Sequence, residues 1–213
     1  MTHSFDQEYW DQIWQGDGGA SMGTAAPNPY LARELGDLPP GSALDAGCGA
    51  GAEAIWLATR GWQVTGADLA SDALARAAAR AAESGVTERV QWVRADLSTW
   101  EPDARYDLVT THYAHPAMPQ LEFYDRIASW VAPGGTLLIV GHRHHDAAGG
   151  HGHGHTSDGP PASASATANA ITTRLDPAEW EVVTAAEVDR ALSGHGGREV
   201  VLHDVVVRAS RRR

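Results

Sequence analysis

Residues 43–52 read Ala43-Leu44-Asp45-Ala46-Gly47-Cys48-Gly49-Ala50-Gly51-Ala52. A short apolar run ends in an acid, glycines then occupy every second position, and an Ala-rich stretch of helical composition follows. Glycine is required where a chain turns sharply and a ligand must lie against backbone with no Cβ between them. Asp68 closes the next apolar run, QVTGAD, twenty-one residues beyond Gly47. At the tip of a parallel strand such a carboxylate is placed to accept hydrogen bonds from ribose hydroxyls. Glycine-rich strand-to-helix turns also form without ligands, but the acids on both sides, Asp45 and Asp68, favour a nucleotide pocket. Gly47-x-Gly49-x-x-Ala52 also fits the dinucleotide fingerprint, so an NAD-linked oxidoreductase stays open at this point.

Working outward, apolar or β-branched runs alternate with Ala-rich amphipathic stretches, the pattern of βαβ units and a parallel sheet. Strands are expected at 42–47, 63–68, 90–96, 106–113 and 136–142, with helices near 52–60, 71–84 (capped by Ser71, closed by Gly85) and 119–132. Two further strands, 180–188 and 200–209, flank the turn-rich SGHGGR and would add an antiparallel edge. The expectation is an α/β doubly wound, Rossmann-like, seven-stranded mixed sheet occupying 41–213. Residues 1–40 would form an N-terminal helical cap, with Phe5, Tyr9, Trp10, Ile13 and Trp14 near helical spacing and a second short helix in PYLARELGDL. Residues 143–170 hold many Gly, Ala, Ser and His and almost no large apolar side chain, so a mobile loop is expected there.

Composition narrows the chemistry. The 213 residues suit one domain with its own core. The single Cys excludes a disulfide framework and CxxC motifs, which favours a reducing compartment. All 16 basic residues are Arg; with no Lys, the P-loop signature, Schiff-base chemistry and a Lys base are excluded. A net charge of −11 argues against nucleic acid and anionic membranes as partners. The acidic first twenty residues do not read as a signal peptide and no apolar run approaches spanning length, so a cytoplasmic protein is expected.

Asp45-x-Gly47-x-Gly49-x-Gly51, Asp68, Asp96-Leu97 after the third strand, YDLV opening the fourth and Ala132-Pro133-Gly134-Gly135 before the fifth form an ordered series. It resembles the motifs of class I S-adenosylmethionine-dependent methyltransferases over about residues 41–142, and the terminal strand pair is similar too. The opening YWDQIW and LDPAEWEVV look similar to small bacterial enzymes of that family acting on small molecules. The resemblance implies S-adenosylmethionine as cofactor and a small-molecule acceptor bound by a monomer or homodimer. Asp45 and the Gly47–Gly51 backbone, Cys48 included as a small filler, would hold the amino-acid part and sugar edge. Asp68 would take the ribose hydroxyls with Leu69 beside the adenine, and Asp96 the adenine amino group with Leu97 packing nearby. Independently of the resemblance, Tyr9, Trp10 and Trp14 would form a lid, with Trp14 over the cofactor, or else pack simply as core. An NAD-linked oxidoreductase and a non-catalytic nucleotide- or metal-binding module on the same fold remain as alternatives.

Methyl transfer from a sulfonium is an in-line displacement, so positioning and water exclusion dominate, and a base is needed only for a protonated nucleophile. Candidates follow the fourth strand: His112, Tyr113 and His115, with His112 or His115 as base or orienting group. Either histidine could instead be a structural residue bonded to backbone. Six of the eleven His fall between His142 and His155. His112 and His115 facing His142, His144 and His145 across adjacent strands would offer imidazoles to a metal. Glycines between His151, His153 and His155 leave those ligands unorganised, and the resemblance brings no metal there, so an unstructured, adventitiously metal-binding loop is the preferred reading. That loop could also close over substrate.

Overall fold

Strand β1 (Ser42–Ala46) is buried along nearly its whole length, which requires pairing on both edges and cover on both faces. It pairs in parallel with β2 (Gln63–Asp68) on one side and β4 (Tyr106–His112) on the other. Beyond β2 lies β3 (Val90–Arg94); beyond β4 lies β5 (Val131–Arg143), both parallel. The sheet ends in β8 (Glu199–Arg211), antiparallel to β5, and β7 (Trp180–Ser193), antiparallel to β8, giving the order β3-β2-β1-β4-β5-β8-β7. A two-residue strand β6 (Ser165–Ala166) pairs with the end of β5. The computed structural model describes residues 5–16, 19, 22–143, 164–193 and 199–213.

Consecutive strand residues point to opposite faces and fill two cores. Leu44, Val109, Leu137, Ile139 and Val207 pack on one side with Phe123 and Ile127 of α5 (Gln120–Ser129) and Ile171 of α6 (Ala168–Thr172). Ala43, Leu108, Leu138 and Val206 face the other side, under Leu31 and Leu35 of α2 (Tyr30–Leu35) and Leu57 of α3 (Ala52–Thr59). Helix α4 (Ser71–Glu83) lays Ala73, Ala77 and Ala81, one turn apart, against the sheet side. Helix α1 (Gln7–Gln15) starts on Asp6, whose carboxylate accepts the Tyr9 N–H, and packs across α4.

The doubly wound seven-strand sheet matches the sequence expectation, with local corrections. Ser71 is the first residue of α4, not its cap; the Ala70 N–H just before it is taken by Asp68. The fifth strand begins at Val131, five residues before the expected start, because Val131 pairs with Tyr106 across a register irregularity that absorbs Ala132–Gly135. Of the loop expected over 143–170, Arg143 still belongs to β5, and residues 165–166 and 168–170 belong to β6 and α6, whose Thr167 caps the Ala170 N–H. The rest of that stretch, residues 144–163 with His144, His145, His151, His153 and His155, lies outside the described residues, as does the 194–198 turn. Among the described residues, no helix is long and apolar enough to cross a membrane.

Candidate active site

The chain runs from β1 to β2 and β3 on one side and then crosses to β4 and β5 on the other, and such a switch point opens a crevice at the strands' C-terminal ends. A cavity of about 530 Å³ lies there.

Its first end is a backbone cradle. Gly47 adopts φ +80° and a Cβ on it would meet the Ala114 methyl at 2.3 Å, so only glycine fits. Gly47, Cys48 and Gly49 all reach the wall. Asp68, also on the wall, accepts the Gly49 N–H (2.8 Å) and the Ala70 N–H (2.9 Å), which ties the cradle to the tip of β2. Burial raises the Asp68 carboxyl above its ordinary range against the pull of these N–H donors. Asp96, held by the Ser98 N–H and hydroxyl, lines the wall with Leu69 and Leu97. Glu53, in the first turn of α3, adds a third wall acid and accepts the Asn28 N–H.

Two expected residues stand elsewhere. Asp45 is 1% exposed and does not line the cavity; burial, then the neighbouring Glu53, push its carboxyl well up, and its Oδ2 has no hydrogen-bond partner among the described residues. Gly51 does not line it either: a Cβ there would meet the Trp92 ring at 2.5 Å, so this glycine serves helix packing. Cys48 is buried and its thiol is pushed up, chiefly by burial, consistent with a filler.

Over the cradle lies α1. Trp14 is 4% exposed and sits above Gly49, with its carbonyl held by Arg76. Trp10 donates its indole N–H to the His115 carbonyl (3.2 Å), and Phe5 stacks on both Trp10 and His115.

The second end follows β4. His112 also lines the cavity; it bonds Thr110 Oγ1 through Nε2 (2.8 Å), and its Nδ1 is buried with no hydrogen-bond partner among the described residues. His115 differs. The Gln120 amide N–H₂ donates to the Ala114 carbonyl (3.0 Å), which commits Gln120 Oε1 to accept. The His115 Nδ1 at 3.1 Å from that oxygen is therefore the N–H, and the ring's lone pair is on Nε2. Burial lowers the pKa of His115, keeping it neutral near pH 7. His142 stacks against both His115 and Tyr113, and burial takes its pKa down to about 4.

Tyr113 takes a left-handed φ of +53°, unusual for a side chain of its size. Its hydroxyl donates to Asp204 Oδ1 (2.7 Å) and accepts from Arg190 Nη2 (3.1 Å). Asp204, on β8 and 0% exposed, also takes the Tyr30 hydroxyl and Arg190 Nε, both at 3.0 Å. Arg190 lines the cavity. Arg190, Asp204, Tyr30, Gln120 and Glu53 were not legible as site residues; an acid inside the apolar run VVLHDVVV was the one available signal, since a buried charge demands a partner. Among the described residues no cluster of three or more His, Cys, Asp or Glu is placed to hold a metal ion.

Comparison with known proteins agrees with this geometry. Residues 43–135 match the model of a methyltransferase domain. A probable thiol methyltransferase 2 of Arabidopsis thaliana is 26% identical over 147 residues, 66% of this chain and 64% of that protein. A trans-aconitate 2-methyltransferase of Streptomyces avermitilis is 35% identical over 121 residues, 53% of this chain and 44% of that protein. The chain thus matches less than two thirds of the length of either relative. Among solved structures, a protein described in the conversion of a disulfide bond into a thioacetal group during echinomycin biosynthesis superposes with a TM-score of 0.69 at 22% identity, over 97% of this chain and 91% of that one, and shares the fold.

Proposed function

We propose, on the premise of the methyltransferase-domain match at residues 43–135, that this chain is a class I S-adenosylmethionine-dependent methyltransferase of small-molecule nucleophiles. One observation carries the choice of cofactor: the Cβ-free cradle at Gly47 and Gly49 faces a wall with three acids, Glu53, Asp68 and Asp96. Such a wall suits a nucleoside bearing sulfonium and ammonium charge, and opposes the pyrophosphate of a dinucleotide.

The cofactor supplies an electrophilic methyl carbon on a sulfonium sulfur. Asp68 would hold the ribose hydroxyls while keeping the cradle in place through the Gly49 N–H. Asp96 would accept from the adenine amino group between Leu69 and Leu97. Asp45 stands one layer behind and supports the cradle rather than touching the ligand. Phe5, Trp10 and Trp14 exclude water from the reacting end. Of the two candidate bases, His115 has the lone pair at Nε2 and would take the proton of an amine, thiol or hydroxyl acceptor. His112 then supports the tip of β4. In this reading the protein is a cytoplasmic monomer or homodimer, and its charge of −11 supports a small molecule over nucleic acid as acceptor.

Calorimetry with S-adenosylhomocysteine and with NADH, followed by labelled methyl transfer to a panel of thiols, amines and phenols, tests this. Binding of the first ligand alone, with transfer to at least one acceptor, is expected. Binding of NADH alone overturns the reading.

A further inference from the structure

Two arginines line the cavity, and they are spent differently. Arg80 donates from Nη1 to the Ala50 carbonyl and from Nη2 to the Ala25 carbonyl, so it stitches loops together at the cradle end. Arg190 stands at the far end, next to Tyr113. Its Nε is held by Asp204 and its Nη2 by the Tyr113 hydroxyl, while Nη1 has no hydrogen-bond partner among the described residues. The guanidinium is fixed in place, with part of its donor fork unspent.

Pairing with Asp204 and Tyr113 accounts for Nε and Nη2 but not for the unspent Nη1. Replacing a buried ion pair by apolar groups of similar volume is often neutral or stabilising, so an arginine over a fully buried carboxylate is weak evidence of a stabilising device. Here the carboxylate has two phenol donors besides, from Tyr30 and Tyr113, so Arg190 is not alone in satisfying it. Burial acts to lower the Arg190 pKa, but its bonds to Asp204 and Tyr113 outweigh that, and the group stays charged. Apolar side chains also line the cavity, Phe5, Met22, Pro27, Pro116 and Ala117 among them. A contiguous series of rings links the cation to the base, from Tyr113 at 3.1 Å from Arg190 through His142 to His115.

We propose that Arg190 binds an anionic group on the methyl acceptor, so that the acceptor has an apolar body with a carboxylate or like-charged end. The inference rests on the methyltransferase reading for the word acceptor, but the binding step can be measured without transfer. Trp10 and Trp14 line the cavity and report occupancy by fluorescence.

Benzoate and benzamide are nearly isosteric and differ in charge, so their dissociation constants should be compared, each with and without S-adenosylhomocysteine. Benzoate is expected to bind the wild-type protein about tenfold or more tightly than benzamide. That preference should vanish in Arg190→Met and survive in part in Arg190→Lys, which retains the charge and keeps Asp204 paired. Equal binding of the two probes by wild type, or no binding of either, overturns the proposal without any variant. A benzoate preference with no response to S-adenosylhomocysteine supports the anion site and removes the cofactor reading instead.

Discussion

At the cradle end of the cavity, the contacts come from neighbours in sequence: Gly47, Cys48 and Gly49, then Asp68 at the tip of the adjacent strand. At the acceptor end they come from Phe5, His115 and Arg190, with Tyr30 and Asp204 behind them, each delivered by a different element. The first end depends on backbone shape, and backbone shape favours glycine where φ is positive and requires it where a Cβ would collide. The second depends on long side chains meeting across the sheet, which no local spacing encodes.

Because the two ends use separate groups, they should fail separately. The largest expected effect is at the acceptor end: His115→Gln should lower kcat about 10²- to 10⁴-fold for an acceptor that arrives protonated, leaving S-adenosylhomocysteine affinity unchanged. In the wild type the same rate should fall as pH drops through the His115 pKa, which burial puts below its usual 6.5. An equal loss of cofactor affinity in calorimetry would break the division between the ends.

Next in size is Asp204→Ala. It leaves Arg190 without its carboxylate and frees two phenols, a loss of about 3–5 kcal/mol in denaturant unfolding. Asp68→Asn should weaken S-adenosylhomocysteine by about 1.5–3 kcal/mol, since a charged acceptor becomes neutral, with acceptor KM little changed. A large KM effect would mean that the ends communicate.

The contrast also explains what could be read in advance. The succession of strands and helices, the glycine cradle and Asp68 could be read from alternating apolar runs and from glycines that a tight turn requires, while Asp96 came only with the resemblance to the methyltransferase motif series. His112 and His115 read alike in sequence, three residues apart after one strand. Only the Gln120 amide, locked by the Ala114 carbonyl, shows which of them keeps an available lone pair. Arg190 sits at an ordinary alternating position of an edge strand, and its meaning comes from Asp204, diagonal to it on β8, and from Tyr113 beyond it. Asp45 and Gly51 carry the motif yet serve the layer behind the cavity, because the turn that builds a cradle needs support as well as contact.

The smallest expected effect is a difference in pH response between the ends. His142 has a pKa near 6.5 when unfolded and about 4 in the fold, so between those values the unfolded chain holds a proton that the native one does not. Its contribution to stability is full above about pH 6.5 and is lost as pH falls toward about 4. His112 and His115, also lowered, act in the same sense. Asp45 and Asp68 act oppositely: their raised pKa values make the native state the tighter proton binder above 3.8, so acid favours the cradle end while it strains the imidazoles. A bare melting curve therefore mixes the two. His142→Phe keeps a ring against Tyr113 and His115 while removing one titration, so subtracting its melting temperature from that of wild type isolates the imidazole. That difference should change by roughly 2–4 °C between about pH 7 and pH 5, the shift expected for about 1 kcal/mol in a domain of this size. Parallel curves would mean that His142 is solvated enough to titrate normally, and that the acceptor end is wetter than its ring stacking implies.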